Sequence, residues 1–181
     1  MPSTYTVLLA ASLAIASSVA APSYADQPLP QPQKIHIAAG MSAPRAQELL
    51  MPARRYYAFW NTGDEQYAKA ALADEFMDLN LPDGRPQGPQ GPIVASRTFR
   101  KAVPDLALAV PEAWVIDDQV LARLTFTGHF TGEFAGHPGD GREIRFEAID
   151  MYTIRDGHIV ANRHLEDNLT LLKQLGIVSL Q

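Results

Sequence analysis

The feature that most constrains this chain is a change of period at Leu106. Before it, apolar residues recur at helical spacing; after it, they alternate with period two. Strands are expected at about 106–116, 119–130, 143–155 and 158–166. The last two flank "RDGH", and Asp-Gly between alternating strands predicts a two-residue type I′ turn at Asp156 and Gly157. That turn sets a register: Ile154 opposite Ile159, Tyr152 opposite Ala161, Asp150 opposite Arg163, Ala148 opposite Leu165 and Phe146 opposite Asp167. Side chains alternate along a strand, so these residues share one largely apolar face. The opposite face, with His158, Asn162, His164 and Glu166, is the more polar one. The apolar face therefore holds an acid across from a base, about 5 Å apart, and a second acid at the strand end.

Upstream, "PRAQELLMPARRYYAFWNTGD" reads as a helix with Leu49, Tyr56, Phe59 and Trp60 inward and a kink or fresh start at Pro52. "TGDE" (Thr62 to Glu65) matches a capping box, opening a second helix over about 65–73. "EFMDLNLPDG" is a short strand and turn. "PIVASRTFRKAV" is a third helix, with Ile93, Val94, Phe99 and Val103 inward and Pro104 ending it. "NLTLLKQLG" closes the chain, with Gly176 as its C-cap. Helices first and antiparallel strands afterwards make an α+β fold, with helices against one face of a curved sheet.

The remaining segments bound localisation and partners. Residues 7–21 form an apolar run of signal-peptide length, and "SYA" at 23–25 has small residues where a signal peptidase reads. The expected product is exported, periplasmic or secreted, with 1–25 removed; an uncleaved anchor is the other reading. Residues 26–43, with prolines at 28, 30 and 32, are expected as a linker, and 44–181 as one folded domain. A net charge of −5 with scattered basic residues argues against nucleic acid and against anionic membranes. Without cysteine there is no thiol nucleophile, thiolate metal site or disulfide. No two histidines have metal-ligand spacing, and neither a phosphate-binding Gly loop nor a GxSxG elbow occurs.

Asp150 and Arg163 fit either a structural ion pair or a functional cavity; a buried pair seldom stabilises more than apolar packing does. Asp167 fits either a catalytic carboxylate or the N-cap of the closing helix. In "LTFTGHFTGEFAG", Val120, Ala122, Leu124, Phe126 and Phe130 share one face, while His129 lies on the other, where it fits a surface residue as well as a functional one.

"YYAFWNTGD", "PDLALAV", "TGHFTGEFAG", "FEAIDMYTIRDGHIVANRHLEDN" and "LLKQLG" come in an order that resembles the SnoaL-like polyketide cyclase family, also labelled ester cyclase, within the nuclear-transport-factor-2-like superfamily. The similarity runs from about Ala53 to Gly176. It implies a cone-shaped α+β barrel, with three or four helices closing a curved antiparallel sheet around an apolar pocket. It also implies intramolecular aldol closure of a polyketide ester with no metal and no cofactor. The family's acid/base Asp falls on Asp167, its strand Asp or His on Asp150, and the His of its "TGxxxG" segment on His129. Tyr56 and Asn61 fall in the helix motif that borders the pocket. The family often has Trp where Arg163 stands, and a His in the loop where Asn80 stands.

These readings converge on acid–base chemistry at a small hydrophobic or carbonyl-bearing ligand, of aldol, isomerase or lyase type. Asp167 is the expected base, Arg163 steadies the oxyanion, Asp150 orients Arg163, and Phe146, Tyr152 and Leu165 line the pocket. Two rivals stay open. Limonene-epoxide hydrolases of the same superfamily use an Asp-Arg-Asp set to activate water, and Asp150, Arg163 and Asp167 supply those residue types at a different spacing. A binder without catalysis would need only the pocket. An outer sheet face rich in Thr, Val and Met would suit a homodimer.

Overall fold

The computed structural model describes residues 28–179; the segment read as a signal peptide lies outside them. In chain order the elements are β1 (Lys34–Ile37), α1 (Ala43–Thr62), α2 (Glu65–Ala71), β2 (Leu72–Asp78), α3 (Gln90–Ala102), β3 (Ala107–Ile116), β4 (Gln119–Phe130), the short β5 (Glu133–Phe134) and β6 (His137–Pro138), β7 (Arg142–Arg155), β8 (His158–Glu166) and α4 (Asn168–Gln174). Six strands form one sheet in the order β1-β3-β4-β7-β8-β2. Its four central strands are antiparallel, and β1 and β2 join the two edges in parallel. The α+β class and the helix-on-curved-sheet architecture expected from the change of period are what the chain adopts.

The strand alternation is obeyed closely in β7. Ile144, Phe146, Ala148, Asp150, Tyr152 and Ile154 are all buried, at 0–4 % exposure, and every residue between Ile144 and Tyr152 on the other face is exposed. From β4, Val120, Ala122, Leu124, Phe126 and Phe130 join them, with α1 laid across the same face through Leu49, Tyr56 and Phe59. This burial explains why α1 runs unbroken through Pro52: one missing backbone hydrogen bond is outweighed by the apolar surface a continuous helix covers. The second helix opens at Asp64 rather than Thr62. Asp64 Oδ1 accepts from the Gln66 amide at 2.9 Å, while Thr62 remains in α1 and donates to the Ala58 carbonyl. In α3, Ile93 faces inward as expected, but Val94 is 42 % exposed.

Part of the expected linker is folded. Lys34–Ile37 pairs in parallel with β3, from Lys34 opposite Glu112 to Ile37 opposite Val115. Arg54 holds the preceding residues by donating to the Leu29 and Pro30 carbonyls at 3.2 Å. The prolines made this stretch read as solvated, yet "KIHI" satisfies the open edge of β3 that would otherwise lack partners.

The hairpin departs from its expected register at one residue. Asp156 and Gly157 both take positive φ, 49° and 74°, as a type I′ turn requires, and Arg155 and Ile154 stand opposite His158 and Ile159. Thr153 then stands opposite Ala161, so Val160 is an extra residue, a β-bulge. Beyond it Tyr152 faces Asn162, Met151 faces Arg163, Asp150 faces His164, Ile149 faces Leu165 and Ala148 faces Glu166. A one-residue slip sends each side chain of β8 to the other face. Arg163 and Leu165 therefore point outward, Leu165 at 59 % exposure, and Asn162, His164 and Glu166 turn in.

Candidate active site

Between the sheet, the helices and the β2–α3 loop lies a cavity of about 620 Å³. One wall is aromatic. Phe126 and Phe146 stack with centroids 5.1 Å apart, and Trp60 and Phe99 meet that pair edge-on at 6.0 Å each. Tyr56 of α1, Phe76 of β2 and Phe134 of β5 extend the apolar lining. Such a cavity, mostly apolar with a few convergent polar groups, has the size and character of a small-molecule site.

The polar groups come from β7 and β8. Asp150 is 1 % exposed, and three donors converge on its carboxylate. Tyr152 Oη donates to Oδ2 at 2.5 Å, Asn162 Nδ2 donates to Oδ1 at 2.9 Å, and His164 Nδ1 lies 2.8 Å from Oδ1. The other ring nitrogen of His164, Nε2, lies 3.2 Å from Glu166 Oε2. The imidazole is thus strung between two carboxylates, with its edge on the cavity. Its backbone is clamped as well. Asn80 Oδ1 accepts from the His164 amide at 2.9 Å and Asn80 Nδ2 donates to the His164 carbonyl, so one side chain takes the place of a strand neighbour.

Burial by itself would lower the His164 pKa. The charge of Asp150, the hydrogen bond to it and the contact with Glu166 outweigh burial and raise it to about 10. At neutral pH the ring is an imidazolium and both nitrogens donate. Burial also pushes the Tyr56, Tyr57 and Tyr152 phenols well up, and the Asp150 charge adds to each shift. These hydroxyls remain neutral donors.

The residues expected to form the site part company. Asp150, Tyr56 and Phe146 line the cavity, and Leu165 borders it while largely exposed. Tyr152 stands behind Asp150 as its buried donor. Arg163 faces outward across from Met151, not Asp150, because of the bulge. Asp167 is exposed and caps α4: its Oδ1 accepts from the Thr170 amide at 3.0 Å and its Oδ2 from the Thr170 hydroxyl at 2.6 Å, contacts that hold its pKa below the ordinary value. The Asp-Arg-Asp arrangement is therefore not assembled. His129 is exposed and bound to Asp105, Nδ1 to Oδ2 at 2.6 Å, away from the cavity. Asn61 staples α1 to β3 through both the amide and the carbonyl of Leu108. Among the described residues no three His, Asp or Glu side chains are arranged to hold a metal ion.

Asn162, His164 and Glu166 were missed because strict alternation assigns them to the outer face. The signal was present in "IVA", residues 159–161: three apolar residues in a row break the period of two where the bulge falls.

Comparison with known proteins identifies the family and fold of the chain. No curated protein sequence matches the chain. Among solved structures, a candidate polyketide cyclase from Bacillus cereus ATCC 10987 is 39% identical, with 83% of this chain and 95% of that one covered at a TM-score of 0.76. TsrD from Streptomyces laurentii is 29% identical over 76% of this chain and 99% of its own, at a TM-score of 0.65. IdmH, a candidate polyketide cyclase from Streptomyces antibioticus, is 26% identical over 69% and 98%, at 0.62. The family model for SnoaL-like polyketide cyclase matches residues 51–175, and the chain belongs to that family.

Proposed function

We propose that the cavity binds a small carbonyl compound and that the Asp150–His164–Glu166 set carries out proton transfer on it, of ring-closing aldol or isomerase type. The observation that carries this reading is the His164 imidazolium at the cavity wall, held at Nδ1 by a buried carboxylate. An acid or base oriented by a third group is the recurring arrangement of such sites. Glu166 removes a proton alpha to the carbonyl. The 3.2 Å contact of Nε2 with Glu166 is long for a charge-assisted bond, which leaves that N–H able to be shared with the developing enolate oxygen. The enolate carbon then attacks a second carbonyl of the same molecule, and the alkoxide formed takes the proton back from Glu166. For isomerisation the proton returns to a different carbon. The segment at residues 7–25 supports action outside the cytoplasm, which N-terminal sequencing of the natural protein tests.

The test is turnover of polyketide-like β-keto esters by wild type, His164→Gln and Glu166→Gln. Loss of acid–base catalysis at one group lowers the rate by about 10²–10⁴-fold. Folded variants that keep the wild-type rate would end this reading.

A further inference from the structure

Among the described residues, Arg85 is the one Lys or Arg that lines the cavity, and its side chain makes no ion pair or hydrogen bond with any of them. Its place is built. A tight turn closes where the Arg85 amide donates to the Pro82 carbonyl at 3.1 Å, with Gly84 at φ +78° in the corner. The stem of Arg85 then lies over Gly91 in the first turn of α3, where a Cβ would come 3.6 Å from its Cγ and Cδ. Its charge also reaches the Tyr56 phenol: burial, Asp150 and Asp78 raise that pKa, while the Trp60 contact and, least of all, Arg85 lower it.

The acids of the same cavity do not answer this charge. Asp150 is bonded to Tyr152, Asn162 and His164, and Glu166 to His164. Asp78 accepts from the Asn80 amide, and neither it nor Asp83 lies within ion-pair distance of Arg85. Arg85 is a half-buried residue that shares its cavity with four carboxylates and, among the described residues, is joined to none of them; its guanidinium can meet a ligand anion with two parallel hydrogen bonds.

We propose that Arg85 determines substrate class: the carbonyl compound carries a carboxylate, which Arg85 binds while its apolar body fills the aromatic part of the cavity. This rests on the proposed function only in placing substrate in this cavity.

The test is equilibrium dialysis with 1-naphthylacetate and its neutral counterpart 1-naphthylacetamide, at low and moderate salt. Wild type is expected to bind the carboxylate at least tenfold more tightly. Arg85→Gln should reduce that preference below threefold and Arg85→Lys should keep most of it. Added salt should weaken naphthylacetate binding and leave the amide unchanged, a result that stands even where Arg85→Gln fails to fold. Equal affinities in wild type, an undiminished preference in Arg85→Gln, or no binding of naphthylacetate at millimolar concentration each overturns the proposal. His164→Gln in the same assay separates the two readings: it should retain the preference even if acid–base catalysis by His164 proves wrong.

Discussion

Asp150 and His164 stand directly opposite each other across β7 and β8, with Oδ1 2.8 Å from Nδ1. Only the bulge at Val160 makes them partners, and the pair joins the buried side of the site to its open side.

Asp150→Asn keeps the shape of the side chain and removes its charge. The donors from Tyr152, Asn162 and His164 would then share an amide. Hydrogen bonds to a charged group contribute about 1.5–3 kcal/mol, so a stability loss of that order is expected in chemical denaturation. The His164 pKa should fall toward the ordinary histidine range, and imidazole NMR titration reads it directly.

Stability should depend on pH through His164. Its folded pKa is raised from 6.5 to about 10, so the folded state holds the proton more tightly than the unfolded chain does. The contribution is complete below about pH 6.5 and is lost as pH rises to about 10. The difference in melting temperature between wild type and His164→Gln should be largest near pH 6 and shrink by pH 10. A difference that grows with pH would contradict the assigned charge.

Asn80→Ala removes two hydrogen bonds to the backbone of His164 while leaving the ring's own partners in place. At about 1 kcal/mol per bond, the expected stability loss is about 2 kcal/mol. Because Asn80 acts on the position of His164, kcat should fall more than KM rises.

Asp167→Asn tests the cap against catalysis. Asn caps a helix nearly as well as Asp, and Asp167 does not line the cavity. Melting temperature and turnover should both stay near wild type, while Asp167→Ala should melt a few degrees lower and still turn over. A large rate loss in Asp167→Asn would return that carboxylate to the chemistry.

Arg163→Ala should change neither turnover nor ligand binding, since its side chain lies on the outer face of the sheet. A kinetic comparison with Arg85→Gln would show which arginine the ligand meets.

Local pattern alone settled a good deal. The change of period at Leu106 marks where helices give way to strands, and four strands fall within a residue or two of where alternation puts them. Asp156-Gly157 specifies its turn because few residues accept positive φ in succession. Asp150 was legible as a charge on a buried face, since the alternation of β7 continues without a break. Its partner was not. A bulge costs little locally and leaves only the faint trace of "IVA", yet it reverses the facing of every later residue in β8. Whether Asp167 caps or reacts, whether Asn80 holds His164 and whether Arg85 meets a cavity all depend on which distant segments come together. Period and turn chemistry act between neighbours and can be read along the chain; register and pocket lining arise from contacts between distant segments, such as the 84 residues that separate Asn80 from His164, and only the packed structure decides them.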